Sequence, residues 1–225
     1  MSSIASAKED GSHTQTTISS SSTIRFQLNF AGLLKLSQLS VNIELEGKMG
    51  RNVLIIGGSP RTAGNSETLC KEFAKGASEA GNQVEYISLS GKKIGFCTAC
   101  YACSSGSCPQ NDDAADIIKK MLDADVLVLA TPVYFYTMSA QLKALIDRSV
   151  MVYPKIQNKD FYYIMTMADT VDENFKGTLE ALRGFVACCD HSRECGIIKA
   201  PGVYQKGEIQ NSPAMKESYE MGLKV

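Results

Sequence analysis

Hydrophobic and polar positions follow two alternating patterns from residue 51 onward. Short, unbroken apolar runs at Asn52–Gly57 and Asp125–Ala130 are typical of strands buried on both faces of a sheet. Ser66–Ala80 instead places apolar residues at every third or fourth position, as one face of a helix does, and Gly81 follows as a stop. The same patterns predict further strands at Gln83–Leu89, Phe161–Thr166 and Glu194–Ile198, and further helices at Asp112–Leu122, Ser139–Arg148, Glu173–Cys188 and Ser212–Leu223.

Strands and helices therefore alternate along the chain, which predicts an α/β fold. Each crossover between parallel strands has to pack a helix back onto the sheet, so both faces are covered. Five strands suit the doubly wound, flavodoxin-like order better than the six-stranded Rossmann order. Such sheets bind ligands at the carboxyl ends of their strands, beside the point where the strand order reverses. We therefore expect the chemistry in the loops after the first, third and fourth strands.

The first part of the chain lacks these patterns. Residues 1–24 are dense in Ser and Thr without amphipathic periodicity, and the more apolar residues 26–46 have no clear place in the fold. We expect residues 1–48 to be a disordered or leader-like extension and residues 51–225 to form a flavodoxin-like domain. The expected location is the cytoplasm, or an organelle if the extension acts as a leader.

Composition excludes several classes of function. The 225-residue chain has 23 basic and 24 acidic residues and no basic run, which argues against a nucleic-acid partner. It has no stretch of 18 apolar residues, so no membrane span is predicted. With only two histidines, His-ligated zinc hydrolases and Ser-His-Asp hydrolases are poor fits.

The loop after the first strand carries a concentration of hydrogen-bond donors. It reads GGSPRTAGNSETL from Gly57 to Leu69 and includes Ser59, Arg61, Asn65 and Ser66. Accessible backbone amides and the positive end of a helix suit a terminal phosphate. The dinucleotide fingerprint and the Walker motif are both absent. The alternative is a turn with Asn65 or Ser66 as a helix cap and no ligand.

Three segments together resemble the NAD(P)H-dependent FMN reductase family. They are GSPR-x-x-GNS in this loop, ATPVYF at 130–135 and MSAQLKALIDR at 138–148, in the family's order, and the resemblance covers roughly residues 51–210. It implies FMN, bound through its phosphate by Ser59, Arg61, Asn65 and Ser66. It also implies NAD(P)H as hydride donor, a small acceptor such as a quinone or a flavin, and a homodimer or homotetramer.

The loops after the third and fourth strands supply the remaining expected contacts. Three successive aromatic residues in a loop are costly to expose unless they meet a flat partner such as an isoalloxazine ring. The alternative is a hydrophobic plug or a subunit contact. We expect no catalytic acid or base, because the flavin itself accepts the hydride. The resemblance assigns flavin contacts to Pro132, Val133, Tyr134, Phe135 and Thr166.

A cysteine-rich loop separates the second strand from the next helix. Its spacing is C-x2-C-x2-C-x4-C, formed by Cys97, Cys100, Cys103 and Cys108. This spacing can hold a cubane cluster and is similar to that of the iron-sulfur flavoproteins, a branch of the same family. Bare thiols, a redox disulfide between Cys97 and Cys100, or zinc are the alternatives. We expect the other four cysteines to be small buried apolar residues.

Three functions remain open at this point. The first is an FMN enzyme that transfers electrons from NAD(P)H to a small acceptor. The second is an electron carrier that moves single electrons between a [4Fe-4S] cluster, FMN and a ferredoxin-like protein. The third is an interaction module that uses the same fold without flavin.

Overall fold

The computed structural model describes residues 50–106, 108–150 and 152–225. The expectation for residues 1–48 lies outside the described residues. Within the described part, no helix is long and apolar enough to cross a bilayer.

Five parallel strands form one sheet in the order β2-β1-β3-β4-β5. This is the flavodoxin-like order, so the predicted fold is confirmed. The strands are β1 (Asn52–Gly57), β2 (Gln83–Ser88), β3 (Val126–Pro132), β4 (Asp160–Thr166) and β5 (Arg193–Ala200).

Five α-helices connect or follow these strands, close to their predicted bounds. The largest difference is at the fourth helix, because Asp172–Phe175 forms a 3₁₀ turn ahead of it. Such turns are frequent at helix N-termini. The helices are α1 (Asn65–Glu79), α2 (Ala114–Asp123), α3 (Ala140–Arg148), α4 (Lys176–Val186) and α5 (Ala214–Gly222).

The sheet separates two apolar layers. Successive residues of β1 point to opposite faces, so Leu54 and Ile56 join one layer while Val53 and Ile55 join the other. Helices α2, α3 and α4 cover the first layer, and α1 and α5 cover the second. Burial on both faces explains why these strands read as continuous apolar runs.

Helices α1 and α5 approach each other at backbone distance. A Cβ atom built on Gly76 would lie 2.2 Å from the Tyr219 carbonyl oxygen, and one on Gly222 would lie 2.2 Å from the Phe73 carbonyl oxygen. No side chain larger than hydrogen fits at either position without moving a helix. The two glycines therefore set the separation of this helix pair.

An ion-pair network joins the amino ends of three strands. The carboxylate of Asp160, the first residue of β4, accepts hydrogen bonds from Arg51 at 2.7 Å and from Arg193 at 2.6 Å. Burial alone would raise the pKa of Asp160, but the bonds from Arg193 and Arg51 outweigh it and lower the pKa to about 2. This network lies at the edge of the sheet opposite the loops that carry the expected chemistry.

Candidate functional site

A cleft opens at the carboxyl edge of the sheet, beside the point where the strand order reverses. It brings together eight of the nine residues expected to contact the cofactor, and it adds residues from the loop after β5. The lining residues are Ser59, Arg61, Gly64, Asn65, Ser66, Pro132, Val133, Tyr134, Thr166, Met167, Ala168, Val203 and Tyr204.

The loop after β1 reaches this cleft because its backbone packs closely against β3. The Gly58 amide donates to the Ala130 carbonyl at 2.7 Å, and a Cβ atom on Gly58 would lie 2.9 Å from that of Leu142. The Ser139 hydroxyl donates to the Gly58 carbonyl at 2.7 Å and fixes the loop from the α3 side. The loop is therefore anchored before it turns into α1.

Helix α1 begins at the cleft without a side-chain cap. Its N-cap is Gly64, and no side-chain hydrogen bond caps it, so neither Asn65 nor Ser66 takes the capping role considered above. The first amides of such a helix lack intrahelical partners, and they carry the positive end of the helix dipole. An uncapped helix start that lines a cleft suits an anionic group.

The buried carboxylate of Glu67 holds the backbone of the same loop. Ala63 adopts a left-handed conformation with φ of +51°, and its amide donates to Glu67 Oε2 at 2.7 Å. Burial opposes the charge on Glu67, but its bonds with Lys71 and Ala63 outweigh burial and lower its pKa. The Ala63 amide is therefore already bonded to Glu67. An anion would instead meet the backbone amides of the first turn of α1, which begins at Asn65.

The loop after β5 is fastened to the loop after β1. The Arg61 guanidinium donates from Nη1 to the Tyr204 carbonyl at 2.9 Å and lies 5.6 Å from the centre of the Tyr204 ring. The Asn65 amide group donates to the Gln205 carbonyl at 2.9 Å and accepts from the Gly207 amide at 3.1 Å. The side chain of Asn65 thus holds the loop after β5, and these two bonds leave its backbone amide unengaged.

Sequence reasoning missed the loop after β5. The rule that ligands bind beside the reversal of strand order directed attention to the other three loops. The available signal was the pair of glycines at 202 and 207, both of which adopt positive φ. Val203 and Tyr204, which lie between these two glycines in the sequence, complete the wall of the cleft.

The aromatic segment after β3 forms a tight turn. Tyr134 and Thr137 exchange backbone hydrogen bonds, while Phe135 and Tyr136 have φ values of +49° and +65°. Bulky residues pay a steric cost in this left-handed conformation. Gly177 makes room for the turn, since a Cβ there would lie 2.4 Å from the Tyr136 carbonyl oxygen.

Because of this turn, only some of the aromatic residues predicted to contact the flavin line the cleft. Tyr134 lines the cleft, whereas Phe135 is 98% exposed and lies outside the cleft lining. Thr166, at the end of β4, is buried beneath the cleft and accepts the Val133 amide on its carbonyl at 2.8 Å. Asp169 accepts the Val171 amide and acts as a turn residue.

The four cysteines of the loop after β2 line a second cavity, of about 160 Å³. The backbone wraps this cavity through a 3₁₀ turn at Ala102–Ser105 and left-handed conformations at Ala99 and Tyr101. All four thiols are free, with Cys97 and Cys100 exposed and Cys103 and Cys108 partly buried. The four cysteines of the predicted motif therefore lie around the same cavity.

The four thiols share one cavity without forming a site for a single metal ion. In the ranges that the structure covers, no three His, Cys, Asp or Glu side chains come close enough to hold a single metal ion. Hydrogen bonds from the Ala102 amide and the Thr98 hydroxyl lower the pKa of the Cys100 thiol, which favours its thiolate form.

Arg148 is buried beside the cysteine cavity and forms part of its wall. Its side chain is 2% exposed and pairs with Asp112, with Nη1 donating to Oδ2 at 2.6 Å and Nη2 to Oδ1 at 3.1 Å. Nη1 also donates to the Gly95 carbonyl and to Gln110 Oε1, each at 2.9 Å. Among the residues that the structure describes, Nε has no hydrogen-bond partner. Such an unpaired buried donor is rare in folded proteins.

The remaining cysteines only partly follow the prediction. Cys70 and Cys189 are buried, as expected for small apolar residues. The prediction is wrong for Cys188 and Cys195, which are exposed. Cys188 follows the end of α4, and Cys195 belongs to β5, which lies at the edge of the sheet.

Similar proteins add an independent line of evidence. An iron-sulfur flavoprotein of Methanocaldococcus jannaschii is 46% identical over 98 residues, which cover 43% of this chain and 51% of that protein. An FMN-dependent NADH:quinone oxidoreductase of Delftia acidovorans is 35% identical over 80 residues, covering 32% of this chain and 38% of that protein. The chain spans about half the length of the first curated relatives it matches.

Solved structures share the fold at lower sequence identity. The NAD(P)H:quinone oxidoreductase from Methanothermobacter marburgensis superposes with a TM-score of 0.65 at 17% identity, covering 78% of this chain and 96% of that chain. The family model for NADPH-dependent FMN reductases matches residues 51–185, which is more than half of this chain. The chain belongs to the NADPH-dependent FMN reductase family.

Proposed function

We propose that this protein is an FMN-dependent oxidoreductase that takes a hydride from NAD(P)H and passes electrons to a small acceptor such as a quinone or a flavin. The observation that carries the proposal is the uncapped start of α1 in a cleft at the carboxyl edge of the sheet. The family match and the names of the matched relatives support the same activity.

The residues of the cleft fit FMN in two parts. Ser59, Arg61, Ser66 and the backbone amides at the start of α1 would hold the phosphate, since they combine hydroxyl groups, a positive charge and the helix dipole. The backbone at Pro132–Tyr134 and the side chain of Tyr134 would position the ring system. Bound FMN would supply hydride acceptance and onward electron transfer.

The chain's own residues would control access and orientation. The Arg61 guanidinium would fix the loop after β5 against the phosphate end, and Tyr134, just ahead of the strained turn at Phe135–Tyr136, lines the cleft. Tyr134, 38% exposed, has one part packed against the cleft and another in contact with solvent. Such a site leaves one side accessible to a nicotinamide and then to an acceptor.

The direct test is titration of the apo-protein with FMN, followed by addition of NADH or NADPH and a quinone. We expect saturable binding of one FMN per chain and catalytic oxidation of at least one nicotinamide. Riboflavin, which lacks the phosphate, is the matched control and should bind more weakly. Failure to bind FMN would contradict the proposal and favour the flavin-free module.

A second candidate function rests on the cysteine cavity. Four thiols that line one cavity, with an unpaired buried donor beside them, fit a [4Fe-4S] cluster better than a single ion. The thiolates of Cys97, Cys100, Cys103 and Cys108 would hold the cluster. The protein would then also exchange single electrons with a ferredoxin-like partner.

Metal analysis distinguishes the two candidates. After anaerobic purification, a cluster predicts about four iron and four sulfide per chain. Substituting any one of the four loop cysteines by serine should remove most of the iron, whereas the exposed control Cys188→Ser should not. A chain that binds FMN but no iron after anaerobic reconstitution would be consistent with the FMN oxidoreductase and would exclude the iron-sulfur electron carrier.

The quaternary state and compartment belong to the same proposal. We propose a homodimer or homotetramer, which light scattering of the purified protein would test. Eight free thiols support a reducing compartment such as the cytoplasm.

A further inference from the structure

Arg148 uses only part of its hydrogen-bonding capacity. Two of its three nitrogens bind Asp112, Gly95 and Gln110, so the guanidinium is held rigidly in the wall of the cysteine cavity. The third nitrogen, Nε, is buried and has no acceptor among the described residues. A buried donor without a partner is unfavourable, so an acceptor that completes the site would be favoured.

The chemistry of the cavity wall suits a ligand that accepts a hydrogen bond. The Asp112 carboxylate pairs with the guanidinium through Nη1 and Nη2, which leaves Nε for another acceptor. Arg148 lies in the same cavity wall as the four thiols. A group built from thiolates, iron and sulfide carries net negative charge, and its sulfur atoms accept hydrogen bonds.

We propose that Arg148 is a positioning residue for the iron-sulfur cluster, with its Nε–H donating to a cluster sulfide or to the sulfur of Cys108. The inference rests on the second candidate function. The bond and the nearby charge stabilise the form that holds the extra electron, so Arg148 raises the reduction potential of the cluster.

The geometry also explains how the loop keeps its shape. Arg148 lies at the end of α3, while Gly95, Gln110 and Asp112 flank the cysteine loop on both sides. The Asp112 carboxylate additionally accepts the Gly95 amide at 2.8 Å. One side chain therefore closes the base of the loop and also lines the cavity, with one donor left unpaired.

The experiment compares Arg148→Lys and Arg148→Gln with the native protein after anaerobic reconstitution with ferrous iron and sulfide. Lysine keeps the charge but lacks Nε–H, whereas glutamine loses the charge as well. In a redox titration followed by electron paramagnetic resonance, we expect Arg148→Lys to disfavour the reduced cluster about tenfold, which is about 59 mV for one electron. Arg148→Gln should shift the potential further in the same direction.

A matched control separates this effect from general damage. Arg183 forms an equally close fork with Glu194, with bonds of 2.8 Å from Nε and Nη2, but it does not line the cavity. Arg183→Lys should leave the potential unchanged. A cluster in Arg148→Lys with the native potential would overturn the inference while leaving the proposed function intact.

A second measurement needs no substitution. The native chain labelled with ¹⁵N only at arginine Nε and reduced with dithionite should show a hyperfine coupling between the cluster and one arginine nitrogen. Absence of any such coupling would overturn the inference, even if the Arg148 variants fail to fold. A native chain that takes up no iron would overturn both the inference and the second candidate function.

Discussion

At the scale of single residues, the cleft contains side chains that hold a neighbouring loop as well as facing the proposed ligand site. Arg61 carries the charge expected to meet a phosphate, and it also donates to the Tyr204 carbonyl. The side chain of Asn65 binds the Gln205 carbonyl and the Gly207 amide. The sequence motif attaches a neighbouring loop and would also bind the phosphate under the proposed function.

Arg61→Ala should separate these tasks. We expect FMN affinity to fall about tenfold, which corresponds to 1.4 kcal/mol, because one charge-assisted bond to the phosphate is lost from an exposed site. The affinity for riboflavin should change much less, since it has no phosphate. Fluorescence titration with both flavins measures the difference.

Arg183→Ala serves as the control for loss of a surface arginine. It should leave both affinities unchanged, because Arg183 binds Glu180 and Glu194 away from the cleft. An equal loss of FMN and riboflavin affinity in Arg61→Ala would contradict the phosphate assignment. It would show instead that Arg61 acts only through the loop after β5.

At the scale of secondary-structure elements, stability depends on two contacts that differ in kind. One is the steric contact of α1 with α5, where backbone atoms meet across Gly76 and Gly222. The other is the ion-pair network of Asp160 at the amino ends of β4 and β5. Each can be tested without touching the cleft.

Gly76→Ala should destabilise the protein although alanine is the better helix former. The new Cβ would lie 2.2 Å from the Tyr219 carbonyl oxygen, and overpacking of this kind costs about 1–3 kcal/mol. Gly184→Ala in α4 is the matched control, since a Cβ there meets nothing within 4 Å. The control should gain about 0.5–1 kcal/mol from helix propensity.

Urea unfolding of both variants measures these free energies. A Gly76→Ala variant as stable as the control would show that α5 moves away from α1 without cost. That outcome would contradict the role assigned to the two glycines.

Asp160 makes stability depend on pH in a defined direction. Its pKa in the folded state, about 2, lies below its ordinary value of 3.8. A carboxyl group whose pKa is lowered by folding stabilises the folded state at pH values above its ordinary pKa. This contribution is lost as the pH falls toward 2. The native protein should therefore exceed Asp160→Asn by about 2 kcal/mol at pH 7.

This difference should shrink between about pH 4 and pH 2. Urea unfolding at pH 7, 4 and 3 measures it. A difference that stays constant with pH would mean that Asp160 acts through packing rather than through its charge.

At the scale of the whole molecule, residues 50–225 contain the five strands, the helices on both faces and the cleft. We propose that a chain starting at Met49 folds alone and keeps its FMN affinity. Its unfolding temperature should differ from that of the full chain by less than about 2 °C, which is below 1 kcal/mol for a domain of this size. A larger loss of stability or of FMN affinity would assign residues 1–48 a part in the fold.

Much of this architecture follows from local sequence. The run at Asn52–Gly57 predicted a buried strand because both faces of a parallel sheet are covered, and the bounds agree. The predicted ends of helices agree less closely with the structure. At Asp172–Phe175 the chain forms a 3₁₀ turn, which uses residues similar to those of the first turn of a helix.

Contacts between distant residues could not be predicted from local patterns. Arg61 and Tyr204 are 143 positions apart, and Arg148 and Asp112 are 36 apart. Likewise, residue type alone did not reveal that Cys188 and Cys195 face solvent, because cysteine is compatible with either environment. These features depend on how the elements pack.

The bond between Arg61 and the loop after β5 makes loop order and ligand affinity thermodynamically linked. If a bound phosphate and the Tyr204 carbonyl stabilise the same orientation of the guanidinium, each favours the other by the same factor; if they compete for it, each weakens the other by the same factor. The sign of this coupling decides whether flavin uptake tightens or releases the wall of its own cleft. Hydrogen exchange at Tyr204 and Gln205, with and without FMN, would reveal that sign.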